Sequence, residues 1–346
     1  MHAVSSDETG ERGVELTVEV LRHPLIRPFR AAGRTVETLE TARLRLLAPD
    51  GSIAGEGEVA SDAWLDRDAG GIAREAHVLA GSLLGHSATI SGADLDAALD
   101  RAAPYVSAEA RTLVEMTFLD HVARRSGLPV WRVVGLPEPA PVQLLRTVPV
   151  GERPPQTGPL KVKLGGPNDV AILRDLAALH RRAGKREPLV IDVNRGWTHD
   201  HWTSMAALVA RIAPTVLEDP VADLDLLPEI RRALPGTTVL LDEGIDDATS
   251  LEHALEIADG VNIKVTSFGG LLPARRALER LRSADARAML GCTIEPPRAI
   301  AYAAQLARLC DWADLDGHLW LEPEPTPSAL RLDSSRPGIP RLVPAS

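Results

Sequence analysis

The chain has 346 residues, 45% of them hydrophobic, and a formal net charge of −10 from 48 acidic and 38 basic side chains. That charge repels phosphate backbones and argues against a nucleic-acid partner, and no run of ~18 apolar residues argues for a membrane span. Two cysteines, Cys292 and Cys310, are too few for a disulfide framework and suit a reducing, cytoplasmic setting, and the polar opening MHAVSSDETGERG lacks the apolar core of a signal peptide.

The length fits two domains, or one large barrel with an attachment. Residues from about 14 to 60 alternate apolar and polar in GVELTVEVLR and TLETARLRLLAPDGSIAGEGEVA, which predicts strands joined by a turn at PDG. Residues from about 70 to 135 carry apolar positions at helical spacing, with Gly127 placed as a C-cap. Strands followed by helices predict an α+β domain. From about 140 the pattern changes to eight short apolar runs, VQLLRTVPV, LKVKL, PLVIDVN, TVLED, TVLLDE, GVNIKV, RAMLGC and DWADLD, alternating with helical stretches. Eight such units predict a (β/α)8-type barrel, a modified TIM barrel. The expected division is an α+β capping domain over 1–115, a barrel over 116–317, and a Pro-rich 318–346 segment that completes the cap.

Of the 38 basic residues only four are lysine: Lys161, Lys163, Lys185 and Lys264. Lysine retained in an Arg-rich chain points to chemistry that a guanidinium cannot do, because only an ammonium loses its proton readily. Most barrel runs end in a polar residue. From Lys163 to Asp192, Glu218, Asp242 and Lys264 the steps are 29, 26, 24 and 22 residues, about one βα unit each, so these side chains should meet at the carboxyl-terminal rim, where barrel active sites lie. Three carboxylates on adjacent strands form an all-oxygen site suited to Mg2+. Lys163 and Lys264, on the second and sixth strands, should face each other across the axis as a two-base pair. A lysine base must be neutral, so nearby positive charge should lower its pKa.

The motifs KVKL, IDVN, VLEDP, LDEG and VNIKVTSFGG resemble the enolase superfamily, in its muconate-lactonizing subgroup, for which a lysine base with Mg2+ is the known pattern. The resemblance implies Asp192, Glu218 and Asp242 as Mg2+ ligands, with Asn194 supporting the metal site. It implies Lys163 and Lys264 as the acid/base pair and Lys161 as a polarising group on the substrate carboxylate. Assembly into homo-oligomers is a further expectation of the family. GCTIEPPRAI followed by ADLDGHLWLEP resembles the dipeptide epimerase branch, which includes L-Ala-D/L-Glu epimerases. There Asp314 and Asp316 would clamp the free α-ammonium of a small-molecule dipeptide, strand alternation placing both on one face. Glu295 falls in a substrate-contacting stretch. Of Arg27, Arg30 and Arg34 in the first loop, Arg30 is the expected partner of an acidic substrate side chain. Asp62, Asp66 and Asp68 in the second loop would instead favour a cationic one, and Trp64 would form an apolar lid.

The chain departs from the family pattern at Asp219, where a glutamine is usual, at Ser267 and Phe268 before the glycine pair, and at the double proline of EPP. Cys292 reads as a buried thiol, His199 and His201 as a helix start, and Trp197 and Trp202 as packing residues. The alternatives to an epimerase are an N-acylamino-acid racemase, o-succinylbenzoate synthase or cycloisomerase with the same lysines, a Schiff-base aldolase using Lys264, and a binding barrel without catalysis.

Overall fold

The computed structural model describes residues 14–31, 34–61, 67–84, 92–139, 142–180, 187–323, 330–333 and 341–344. The alternating N-terminal segments form an antiparallel sheet of β1 (Glu15–Ala31), β2 (Arg34–Leu47) and β3 (Ile53–Ala60), in that order. In β2 the alternation is direct: Ala42, Leu44 and Leu46 are fully buried, while Arg43 and Arg45 lie on the other face. Helices α1 (Ala69–Leu83), α2 (Gly92–Ala102) and α3 (Ala108–Ser126) follow. α3 runs so close to β3 that a Cβ on Gly57 would come within 2.6 Å of Thr117 Oγ1, so only glycine fits there. Gly127 caps α3 at φ 66°, as its position predicts. The division expected at residue 115 falls inside this unbroken helix. A short turn, α4 (Val130–Val133), and the two-residue strand β4 (Val142–Gln143) lead onward.

Each of the eight apolar runs becomes a barrel strand, in parallel order around the sheet: β5 (Arg146–Val148), β6 (Leu160–Lys163), β7 (Leu189–Asp192), β8 (Val216–Glu218), β9 (Thr238–Leu241), β10 (Gly260–Lys264), β11 (Arg287–Gly291) and β12 (Trp312–Ala313). A parallel bridge between Leu144 and Ala313, with Leu145 N–H donating to Ala313 O at 3.1 Å, joins the two ends of this sheet. Between the strands run α5 (Asp169–His180), α6 (His199–Ile212), α7 (Leu227–Ala233), α8 (Ala248–Ile257), α9 (Leu271–Ser283) and α10 (Pro297–Ala304). A layer of Leu145, Val190, Val216, Leu240 and Met289 packs inside the barrel.

Within the C-terminal segment, Leu321 bridges Leu25 of β1. β13 (Leu330–Asp333) and β14 (Arg341–Pro344) instead form a hairpin whose second strand pairs with β4, at the start of the barrel. No helix among the described residues is long and apolar enough to cross a membrane.

Candidate active site

Side chains two apart on a strand share a face. Asp192 therefore stands one step above Val190, Glu218 above Val216 and Asp242 above Leu240, all over the inner apolar layer. The parallel register sets Lys163 beside Asp192, and Asp192 beside Glu218. Lys163 Nζ donates to Asp192 Oδ2 at 2.6 Å and to Asn194 Oδ1 at 3.1 Å. Lys264 Nζ donates to Asp242 Oδ2 at 2.6 Å. Lys161, fully buried, ties the set together: its Nζ lies 2.7 Å from Asp314 Oδ2, 3.0 Å from Asp192 Oδ2 and 2.9 Å from Glu218 Oε2. The structure thus brings Lys161, Lys163, Asp192, Asn194, Glu218, Asp242, Lys264, Asp314 and Asp316 to one rim. Lys163, Asn194, Asp242, Lys264, Asp314 and Asp316 all line a cavity of about 490 Å3.

The electrostatics of this cluster are unbalanced. Burial, and then repulsion from Asp192, pushes the Glu218 carboxyl up to about 8. Glu218 Oε1 accepts from Lys161 at 3.0 Å and from Asn262 Nδ2 at 2.8 Å, whereas Oε2 is buried and takes no hydrogen bond. The Lys161 ion pair at Oε2 is thus a charge contact without hydrogen-bond alignment. Burial alone would raise the Asp192 carboxyl too, but Lys163 and Lys161 bring it below its ordinary value. A buried oxygen lacking a hydrogen bond, beside two more carboxylates, is a donor set that a hard divalent cation would satisfy, so the residues fit such an ion. A second acidic group, Asp219, Asp242 and Glu243, has oxygens within 4.8 Å of one another. There, however, Asp219 Oδ2 already accepts the N–H groups of Asp242 and Glu243 at 3.1 and 2.7 Å, and Glu243 Oε1 accepts from Asn194 Nδ2 at 2.5 Å. These contacts brace the end of β9, while Glu243 Oε2, like Glu218 Oε2, is buried without a hydrogen bond. Lys264 departs from the sequence expectation. Burial pulls its ammonium down, but Asp242 and then Glu243 outweigh it, and the net direction is up.

Asp314 and Asp316 also differ from expectation in how they meet. β12 ends at Ala313, and Asp316 directly precedes a 3-10 turn over Gly317–Trp320, without a side-chain capping bond. Strand alternation therefore does not align the two carboxylates; Thr147, just across the barrel seam, does. Its hydroxyl lies 2.9 Å from Asp316 Oδ1 and 3.4 Å from Asp314 Oδ1, and its N–H donates to Asp316 Oδ2 at 2.8 Å. Burial, and then Asp314, pushes Asp316 up to about 7. Glu295 is buried after β11 and is pushed by burial to about 7. It does not line the cavity, though Thr293 and Ile294 do. Cys292 is a free thiol on the cavity wall, driven upward first by burial.

The side chains of Arg30 and Arg34, and Asp62, Trp64 and Asp66, lie outside the described residues. Arg27 donates to Glu152 Oε1 at 2.7 Å, and Asp68 caps α1. His199 and His201 start α6, where Thr198 and His201 form a capping box. Trp197 and Trp202 are buried, their indole N–H groups donating to Asp169 and Glu229. Thr147 and Asn262 were missed in the sequence, and Asp219 was read there only as a departure from the family pattern. Asn262 was readable, because alternation puts it on the same face of β10 as Lys264. Thr147 was not, because its partners come from the far end of the chain. Asp219 is held at φ 39°, a left-handed backbone that the usual glutamine would also find strained.

A family model described as enolase C-terminal domain-like matches residues 157–331, half of the chain. The chain belongs to that family. A relative from Pedosphaera parvula strain Ellin514, named L-Ala-D/L-amino acid epimerase, is 31% identical over 62% of this chain, which spans 65% of that relative's length. A second, the L-Lys-D/L-Arg epimerase of Methylococcus capsulatus, is 27% identical over 95% of this chain and 99% of its own. Among solved structures, the dipeptide epimerase of Enterococcus faecalis V583, complexed with Mg and the dipeptide L-Leu-L-Tyr, superposes with a TM-score of 0.80 at 20% identity, over 96% of this chain and 98% of that one. This last likeness shows a shared fold.

Proposed function

We propose that the protein is a Mg2+-dependent dipeptide epimerase that inverts the α-carbon of the C-terminal residue of an L,L-dipeptide. The observation that carries the reading is the pair of primary amines, Lys163 and Lys264, on strands four apart in a ring of eight and lining one cavity. Loss of an α-proton leaves a planar carbon with two open faces. An amine on each face lets one lysine remove the proton and the other return one from the opposite side, which inverts the centre.

Mg2+ held by Asp192, Glu218 and Asp242 would stabilise the negative charge that develops on the substrate carboxylate as the proton leaves. Lys161 adds fixed positive charge beside those carboxylates, and Asn194 orients Lys163 by accepting from its ammonium. For Lys264 to act as a base, the pull of Asp242 must be shared with a cation. Asp314 and Asp316, aligned by Thr147, would hold the free α-ammonium of the dipeptide. The names of the Pedosphaera and Methylococcus relatives support this reading. Those names begin with alanine and with lysine, so the family leaves the N-terminal side chain open. The free thiols Cys292 and Cys310 support a reducing, cytoplasmic setting.

An N-acylamino-acid racemase or cycloisomerase would use the same lysines. The two buried carboxylates at the cavity edge favour the dipeptide, because an acylated nitrogen offers them no charge. The test is incubation of the enzyme and Mg2+ with pooled L,L-dipeptides in D2O, read by mass. The expected result is a one-unit shift in a subset of dipeptides, abolished by EDTA, with inversion reduced about 10²–10⁴-fold in Lys163→Ala and Lys264→Ala. Exchange in N-acyl amino acids and in no dipeptide would replace this reading with the racemase one.

A further inference from the structure

The cavity wall is mixed. Arg67, held by Glu109, lines it. Asp314 and Asp316 line it too, with the apolar Phe29, Ile294 and Trp320, the last of these in the turn that directly follows Asp316. We infer that the substrate's N-terminal residue carries an apolar, uncharged side chain, bound against Phe29, Ile294 and Trp320. The inference rests on the epimerase reading and names its substrate class.

The argument begins with covalent geometry. In an N-terminal residue the ammonium and the side chain leave the same Cα. Once the ammonium is fixed on the carboxylates, the side chain must lodge in the wall beside them. That wall and the clamp are one piece. Trp320 closes the 3-10 turn that Asp316 precedes, and Leu319 N–H donates to Asp316 O at 2.9 Å. The ring is fixed from two sides: Phe29 meets it edge-on, centroids 4.7 Å apart at 74°, and the Arg27 guanidinium lies 4.7 Å from its centroid. Glu322 N–H donates to Pro24 O at 3.0 Å, and Leu321 bridges Leu25, so the segment is bound to β1. Phe29, Ile294 and Trp320 are 7%, 4% and 6% exposed and belong to one apolar cluster. A wall held this way is formed before substrate arrives and loses little entropy on binding.

Among the described residues, charge beside this wall decides against the other classes. A carboxylate side chain would sit beside Asp314 and Asp316 and be repelled. A lysine or arginine side chain would lie on desolvated rings while the two carboxylates are already engaged by the α-ammonium and Thr147. Arg27 offers an acidic side chain little, because it is already engaged by the Trp320 ring at 4.7 Å and by Glu152 at 2.7 Å.

The experiment measures kcat/KM for deuterium incorporation in the peptides L-Xaa-L-Ala, with Xaa as Leu, Val, Ala, Lys and Glu. The expected order places Leu and Val first, about 10-fold or more above Lys and about 100-fold above Glu. Lys or Glu equal to or above Leu would overturn the inference while leaving the epimerase reading intact. No exchange in any of the five, nor in other dipeptides, would sink the epimerase reading and this inference with it. Trp320→Ala should lower the Leu-over-Ala ratio of kcat/KM about 10-fold, chiefly through KM. Ile294→Ala provides the same reading if Trp320→Ala does not fold. An unchanged ratio in a folded variant of either kind would overturn the assignment of the wall.

Discussion

Two buried glutamates, one in the capping sheet and one in the barrel, show how differently this protein treats the same side chain. Glu58 of β3 and Glu218 of β8 are 2% and 0% exposed. Around Glu58 both oxygens are served. Oε1 lies 2.9 Å from His23 Nε2 and accepts from Thr41 Oγ1 at 2.6 Å, and Oε2 accepts twice from the Arg43 guanidinium at 3.1 and 2.7 Å. Burial alone would raise its pKa, but the His23 and Thr41 hydrogen bonds, followed by Arg43, hold it at about 2. Glu218 has one oxygen without a hydrogen bond and two carboxylate neighbours, and rises to about 8. The capping cluster is complete as a structure. The barrel cluster is complete only with something added, and a buried group left in that state marks a functional site.

The contrast is broken most strongly at Glu58. Its folded-state pKa lies below its unfolded value, so its stabilising contribution is full above about 4.5 and is lost as pH falls towards about 2. A displacement of that size corresponds to about 3 kcal/mol. Glu58→Gln should therefore cost about 3 kcal/mol near pH 7 by denaturant titration and should flatten the acid limb of stability against pH. Deuterium exchange by the folded variant should be unchanged, because Glu58 does not line the cavity.

At Glu218 the expected effect is smaller and depends on the ion. Mg2+ at about 100 times its Kd should stabilise the native protein by about 2.7 kcal/mol, seen as a rise in Tm of a few degrees that EDTA reverses. Glu218→Gln should abolish that rise. In the absence of metal it should cost less than Glu58→Gln near pH 7, because Glu218, raised to about 8, is largely protonated there and a neutral amide replaces a largely neutral acid. A Mg2+-dependent rise that survives in Glu218→Gln would remove this residue from the proposed ion site.

The barrel was legible because its signal is periodic. Eight apolar runs, most ending in a polar residue, report strand ends directly, and the 29- to 22-residue steps from Lys163 to Lys264 report one βα unit each. Lys163, Asp192, Glu218, Asp242 and Lys264 therefore reach one rim as read. What was not legible was non-periodic. Asp314 and Asp316 converge through Thr147, 167 and 169 residues away, and no local pattern encodes a seam between the first and last strands. Glu295 lies in the expected stretch, but the cavity is lined by its neighbours Thr293 and Ile294. The division drawn at residue 115 falls inside α3 for a similar reason. α3 packs on β3 and also holds the loop after β10, and helical periodicity does not say that a helix has two partners.

That double role suggests a third buried glutamate as the finest test of the comparison. Glu115 of α3 accepts the N–H groups of Leu271 and Leu272 and the Tyr302 hydroxyl, all on Oε1, while Oε2 takes no hydrogen bond and faces Arg111 at 3.5 Å. Burial, only partly offset by Arg111 and these donors, pushes it up to about 7. Its folded pKa lies above its unfolded value, so the stability it confers is present below about 4.5 and is lost as pH rises through about 7. In Glu115→Gln the amide oxygen keeps the three donors, and the amide nitrogen replaces the oxygen that takes none. The variant should cost about 1 kcal/mol at pH 5 and match or exceed the native protein at pH 8. A constant penalty at both pH values would mean that Glu115 is ionised throughout, served as fully as Glu58, and that the oxygen without a hydrogen bond does not set its titration.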